Sequence, residues 1–219
     1  MHYRGEIVIP PVDNVEEFIN EMLEPWNEKY KYMETATSDK QNPYAFFDYF
    51  VVGGRYNGDK VLDSLPENGR ERFYKRLNAE HVTVSGIQFG KQTLQPTSQK
   101  SLVDSIWCEM FPDNILKECP LFDNYKGNMW DIMPLANIPQ QTEAYYVIIA
   151  KADVSKPNVS HIFQKEVWNG KDWLECKFDG CVTTALEMVN KKLDHLDETA
   201  RAAFLPNEKW LCVTVDFHS

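Results

Sequence analysis

The chain has 219 residues, 43% of them apolar and 26% charged, the proportions of an ordinary folded protein, so wholesale disorder is excluded and the core needs no covalent staples. Its 33 acidic and 23 basic residues give a net charge of −10, which argues against non-specific nucleic-acid binding and against docking on an anionic membrane. The longest apolar run, Tyr145 to Ala150, is too short to cross a bilayer, and five cysteines without a repeated spacing, with no apolar leader ahead of them, make the cytoplasm the expected location.

In chain order, His2 to Ile9 reads as a strand stopped by Pro10 and Pro11. Asp13 or Asn14 then caps a helix carrying Val15, Phe18, Ile19, Met22 and Leu23 at helical spacing. The aromatic segment from Tyr44 to Val52 feeds a tight turn at Gly53-Gly54. Leu65 to Leu77 reads as a helix, His81 to Phe89 as a strand, Gly90 to Gln99 as a polar loop, and Ser101 to Phe111 as a second helix. Residues 112 to 142, with four prolines and little periodicity, are the one candidate boundary inside an otherwise single domain spanning 1 to 219.

The last third is the most regular. Strands at Ala144–Ala152, Ile162–Trp168, Asp172–Phe178 and Trp210–Phe217 enclose a helix at Val182–Leu196, and Asn169-Gly170 marks a hairpin. This order implies an α+β fold with an antiparallel or mixed sheet and helices packed on one face.

Two segments suit a small anion. In Tyr49-Phe50-Val51-Val52-Gly53-Gly54-Arg55-Tyr56, the twin glycines Gly53 and Gly54 allow close backbone approach, Arg55 offers a bidentate fork, and Tyr49 and Tyr56 supply ring walls. The bland alternative is a brace in which Arg55 pairs with Asp48 or Asp59. The second segment, an acid-free loop, carries Lys91, Thr93, Gln95 and Ser98, but lacks the spacing of a phosphate-cradling P-loop. His81-Val82-Thr83 supplies one half of a paired His-x-Thr phosphodiesterase signature, and the other four histidines supply no second half. No catalytic set, metal site or cofactor is expected: Cys176 and Cys181 have no histidine at a zinc-ligand distance.

The chain resembles a widespread group of uncharacterised bacteriophage proteins through Asn42-Pro43, Phe47-Asp48-Tyr49, Gly53-Gly54-Arg55-Tyr56, His81-Val82-Thr83-Val84, Phe89-Gly90-Lys91, Gln95-Pro96, Cys119-Pro120-Leu121-Phe122 and Val213 to His218. The likeness covers nearly the whole length, with Tyr49 and Tyr56 standing where that group usually has tryptophan. It suggests an early accessory protein of a phage, and together with the aromatic surfaces, the Gly-Gly-Arg clamp and the acid-free loop we read from it a counter-defence protein that sequesters a cyclic nucleotide or ADP-ribose-type messenger of bacterial immunity, a small anionic nucleotide being its partner and a homo-oligomer its form by analogy. The alternatives are a protein-binding inhibitor whose acidic surface mimics nucleic acid, and a phosphodiesterase built around His81.

Overall fold

The computed structural model describes residues 1–30, 42–63, 65–66, 68–82, 86–88, 91–93, 99–113, 118–119, 131–140, 142–168 and 171–219. Strand β1 (His2–Ile9) lies at the centre of a six-stranded mixed sheet, antiparallel to β10 (Leu211–His218) along its whole length and parallel to β6 (Tyr146–Ala150) on its other side. Strand β7 (Val159–Gln164) closes the far edge. The outer edge of β10 is shared by two short strands, β2 (Tyr49–Val52) against Val215–His218 and β5 (Ile132–Pro134) against Leu211–Val213. With its helices packed against this sheet, the protein is α+β, and part of the stretch that reads as a boundary contributes a strand of the central sheet.

Helix α1 (Val15–Leu23) starts where Asn14 accepts the Glu17 N–H at 3.2 Å, and it buries Phe18, Ile19, Met22 and Leu23 in the main core. Helix α5 (Val182–Lys192) buries Val182, Ala185 and Val189, with Lys191 and Lys192 completing its C-terminal turn. A second apolar cluster forms between α3 (Gly69–Ala79) and α4 (Lys100–Met110), where Phe73 meets Trp107 edge to face at 5.4 Å. The short helices are α2 (Asp59–Leu62) and α6 (Glu198–Phe204), the latter capped by Asp197.

Several expectations change. The helix expected from Leu65 begins at Gly69, after Asn68 has taken a left-handed conformation. His81 does not open a strand. It sits at φ 58° just past α3, with its N–H on Asn78 O and the Val82 N–H on Leu77 O, the double bond that ends a helix. The next strand, β3 (Gly86–Gln88), pairs with β4 (Lys91–Thr93), so the expected loop contains a strand. Helix α4 starts one residue before Ser101, and β8 (Glu166–Trp168) with β9 (Trp173–Glu175) form the hairpin around Asn169-Gly170, a turn outside the described residues.

Period-two alternation sorts β1 and β10 into two unlike faces. One carries Tyr3, Gly5, Ile7, Ile9, Val213, Val215 and Phe217, and there the Phe217 ring meets Phe46, Phe47 and Tyr146 within 6 Å. Gly5 leaves room for that ring, since a Cβ would fall 2.3 Å from Phe217 Cε2. The other face carries His2, Arg4 and Glu6 opposite His218, Asp216 and Thr214.

Candidate functional site

The twin glycines mark where β2 leaves the sheet. Gly53 donates the last rung to Thr214 O at 2.8 Å, and Gly53, Gly54 and Gly58 all take positive φ, so the chain folds through a 3-10 turn at Gly54–Tyr56. Gly54 passes so close over Asp216 that a Cβ would meet Asp216 Cβ at 2.4 Å. This crossing presents the Arg55 N–H to Asp216 Oδ2 at 3.1 Å, with Arg55 Nε 3.6 Å from the same oxygen. The carboxylate facing Arg55 is thus one that lies 161 residues away, which local spacing does not suggest.

Asp216 serves a second group. Its Oδ1 lies 2.8 Å from His2 Nδ1, and the cross-strand neighbour His218 makes the same contact, Nδ1 to Asp48 Oδ1 at 2.8 Å. A carboxylate accepts only, so in each ring Nδ1 carries the proton and Nε2 is left as the nitrogen that can gain or lose one. The rings meet edge to face at 4.8 Å, and Tyr49 stacks on the outer side of the pair, nearly parallel to His218 with centroids also 4.8 Å apart. Tyr56 joins the cluster by donating its hydroxyl to His2 O at 3.2 Å; burial and then Asp216 raise its pKa, which keeps it a donor.

Exposure distinguishes the layers of this corner. Asp216 is 2% exposed, whereas His2, His218 and Arg55 are 19%, 32% and 33% exposed and Tyr49 is 44% exposed. A buried anion therefore holds two half-exposed cation-forming groups in place. At Asp48, desolvation pushes the carboxyl up, but the hydrogen bonds from His218 and the Tyr49 N–H outweigh it and hold its pKa below the ordinary value.

Deeper along the same face the charges close on themselves. Glu6 Oε1 accepts Arg4 Nε at 3.0 Å, Arg4 Nη2 at 2.9 Å and Thr214 Oγ1 at 2.9 Å; its Oε2 takes Lys60 Nζ at 3.1 Å and Cys212 Sγ at 3.4 Å. Lys60 completes its set on Cys212 O and Asp131 O, while Arg4 Nη1 reaches Asp63. Desolvation opposes the Glu6 charge, yet Lys60 and Arg4 prevail and depress its pKa, and burial pushes the Cys212 thiol up to about 12. This inner end is a structural brace.

Of the residues that the sequence marks, Gly53, Gly54, Arg55, Tyr56 and Tyr49 come together here. Lys91 and Thr93 lie on β4, which pairs with β3 in a ribbon outside the six-stranded sheet, and Gln95 and Ser98 lie outside the described residues. Sequence reading misses His2, His218 and Asp216. Their signal is a polar residue at every second position of both terminal strands, His2-x-Arg4-x-Glu6 and Thr214-x-Asp216-x-His218. Among the described residues no group of three or more His, Cys, Asp or Glu is arranged to hold a metal ion, and no helix is long and apolar enough to cross a membrane. Two clefts of about 390 and 460 Å³ lie elsewhere, one lined by Val61, Phe111 and Met133 and the other by Asn20, Asn27 and Phe47. Comparison with known protein families, with curated proteins and with solved structures finds no match.

Proposed function

We propose that the protein binds a small phosphorylated nucleotide at the corner formed by His2, His218, Arg55 and Tyr49. The observation that carries this reading is the double use of Asp216, a buried carboxylate that orients His2 with one oxygen and the Arg55 segment with the other. Half-exposed groups able to carry positive charge are thereby fixed side by side, which suits a phosphate, and the exposed Tyr49 ring beside them suits stacking with a base. As a phage counter-defence protein, our own reading of the sequence, it would sequester a cyclic nucleotide or ADP-ribose-type messenger.

A thermal-shift screen of the full chain against cyclic dinucleotides, cyclic trinucleotides and cyclised ADP-ribose tests this. A ligand at a hundred times its dissociation constant adds about 2.7 kcal/mol of stability. The expected result is stabilisation by at least one of them, lost in Arg55→Ala and in Tyr49→Ala while the unliganded variants still fold. Two results count against the proposal: no stabilisation by any ligand, or an Arg55→Ala chain that fails to fold, which would make Arg55 part of the brace.

A further inference from the structure

We infer that the two imidazoles are not only phosphate contacts but a general acid–base pair, so that the corner cleaves nucleotide phosphodiesters rather than merely holding them. The inference rests on the binding reading above. What carries it further is the duplication of one arrangement, an imidazole whose Nδ1–H is committed to a carboxylate 2.8 Å away, on two histidines that are direct cross-strand partners. Simple charge contact with a phosphate needs no fixed tautomer. Proton transfer does, because the nitrogen that moves the proton must be known and aimed, and a carboxylate behind the other nitrogen does both.

The groups facing each ring are few and come from several elements. His2 on β1 meets Asp216 and His218 on β10, with the Tyr56 hydroxyl at its carbonyl; His218 meets Asp48 and Tyr49 from the segment entering β2. The proposal needs one phosphate to reach both Nε2 atoms, and ring centroids 4.8 Å apart put the two rings within the span of such a group. In the step this permits, the neutral imidazole takes a proton from water and the water oxygen forms a bond to phosphorus. The ester P–O bond breaks, and the departing oxygen receives the proton from the other ring, which enters the step as imidazolium. The two rings have then exchanged protonation states and return through solvent, and one water has been added across one ester bond.

Charge selects the substrate class. Arg55 shares Asp216 and His218 shares Asp48, so two carboxylates offset the guanidinium and one imidazolium, and a corner with no surplus positive charge suits the single charge of a phosphodiester better than the double charge of a monoester. The stacked Tyr49–His218 pair offers a ring face to a neighbouring base. The class is therefore a nucleotide diester, linear or cyclic, with at least one base able to stack.

The full chain is incubated with cyclic di-AMP, cyclic di-GMP and 2′,3′-cyclic AMP between about pH 5 and 9, with products separated by chromatography, and binding is followed separately with the phosphorothioate forms of the same diesters. The expected result is hydrolysis with a bell-shaped pH dependence of kcat/KM, as one neutral and one protonated ring require. His2→Asn and His218→Asn should each lower kcat by about 10²- to 10⁴-fold, a larger loss than either causes in phosphorothioate binding. Asp48→Asn, acting through His218, should lower kcat less and displace one limb of the pH profile, which a purely structural role would not do. Tight phosphorothioate binding without hydrolysis of any diester would overturn the acid–base pair and leave the binding reading standing. Absence of both binding and hydrolysis would remove the two together.

Discussion

The polar stripe on β1 and β10 behaves differently at its two ends. At the inner end Glu6 and Lys60 are wholly buried, and every oxygen and proton of the pair meets a partner inside the protein. At the outer end His2 and His218 use Nδ1 on a carboxylate and stay half-exposed, with no partner for either Nε2 among the described residues. The residue types are alike, since both ends mix acids with potential cations. What differs among the described residues is the cover: α2 places Lys60 over Glu6, while at the outer end the turn at Gly54–Tyr56 crosses Asp216. Under cover, a charge must be satisfied completely or it destabilises the fold. At an edge, where water can satisfy it, spare hydrogen-bonding capacity costs little to keep.

If that contrast is right, the largest loss of stability comes from the inner end. Lys60→Met should cost about 3–5 kcal/mol in urea unfolding, because it removes one partner and leaves the Glu6 charge buried beside Arg4 alone. A loss below about 1 kcal/mol would mean that the brace does not hold the fold.

The same pair sets the acid response. Glu6 has a folded pKa below its ordinary 4.5, so the stability it contributes is present above that value and is lost as pH falls through the folded value. Without Lys60 the depression shrinks, so the variant has less of this contribution to lose as Glu6 is protonated. The stability gap between the native chain and Lys60→Met should therefore narrow as pH drops below 4.5, and a gap independent of pH would sink the assignment.

The turn joining the two ends is next. Gly54→Ala puts a Cβ 2.4 Å from Asp216 Cβ at a φ of +56°, a strain of about 1–3 kcal/mol. The residue must push Asp216 away from His2 and Arg55, so ligand binding should fall together with the melting temperature. Unchanged binding in a folded Gly54→Ala protein would show that Asp216 does not organise the corner.

The contrast also explains what can be read from the sequence. Local signals are legible where one side chain or one period decides the outcome: the Asn14 cap, the apolar stripe of α1, the alternation of β1 and β10, and the Gly53-Gly54 turn. Elements decided by a distant neighbour are not. Strand β5 contains Pro134 and is a strand only because β10 offers it an edge, and the polar Lys91–Thr93 is a strand only because β3 lies beside it. Helix α6 has its Asp197 cap, but seven residues are too few to display a period. The site fails to show for the same reason, since its central contact joins Asp216 to His2 across 214 residues. Only the motif nearest to it in sequence, Gly53 to Tyr56, is visible, and Asp216 is a partner of Arg55 that local spacing does not offer.

The smallest effect on stability, and the one that most sharpens the contrast, belongs to Tyr49. Its ring is 44% exposed and stacks on His218 without burying a polar group, so Tyr49→Ala should change unfolding stability by no more than about 0.5 kcal/mol. Nucleotide affinity should drop by far more, about 1–3 kcal/mol, if the ring is the platform on which a base stacks. Tyr49→Phe should restore that affinity, because the stacking face survives and the hydroxyl has no described role in the contact. Measuring both variants by calorimetry separates the two ends of the stripe cleanly: an outer-end residue alters binding and spares the fold. Equal losses of stability and affinity in Tyr49→Ala would instead place this corner with the brace, as one more part of what keeps the strand ends together.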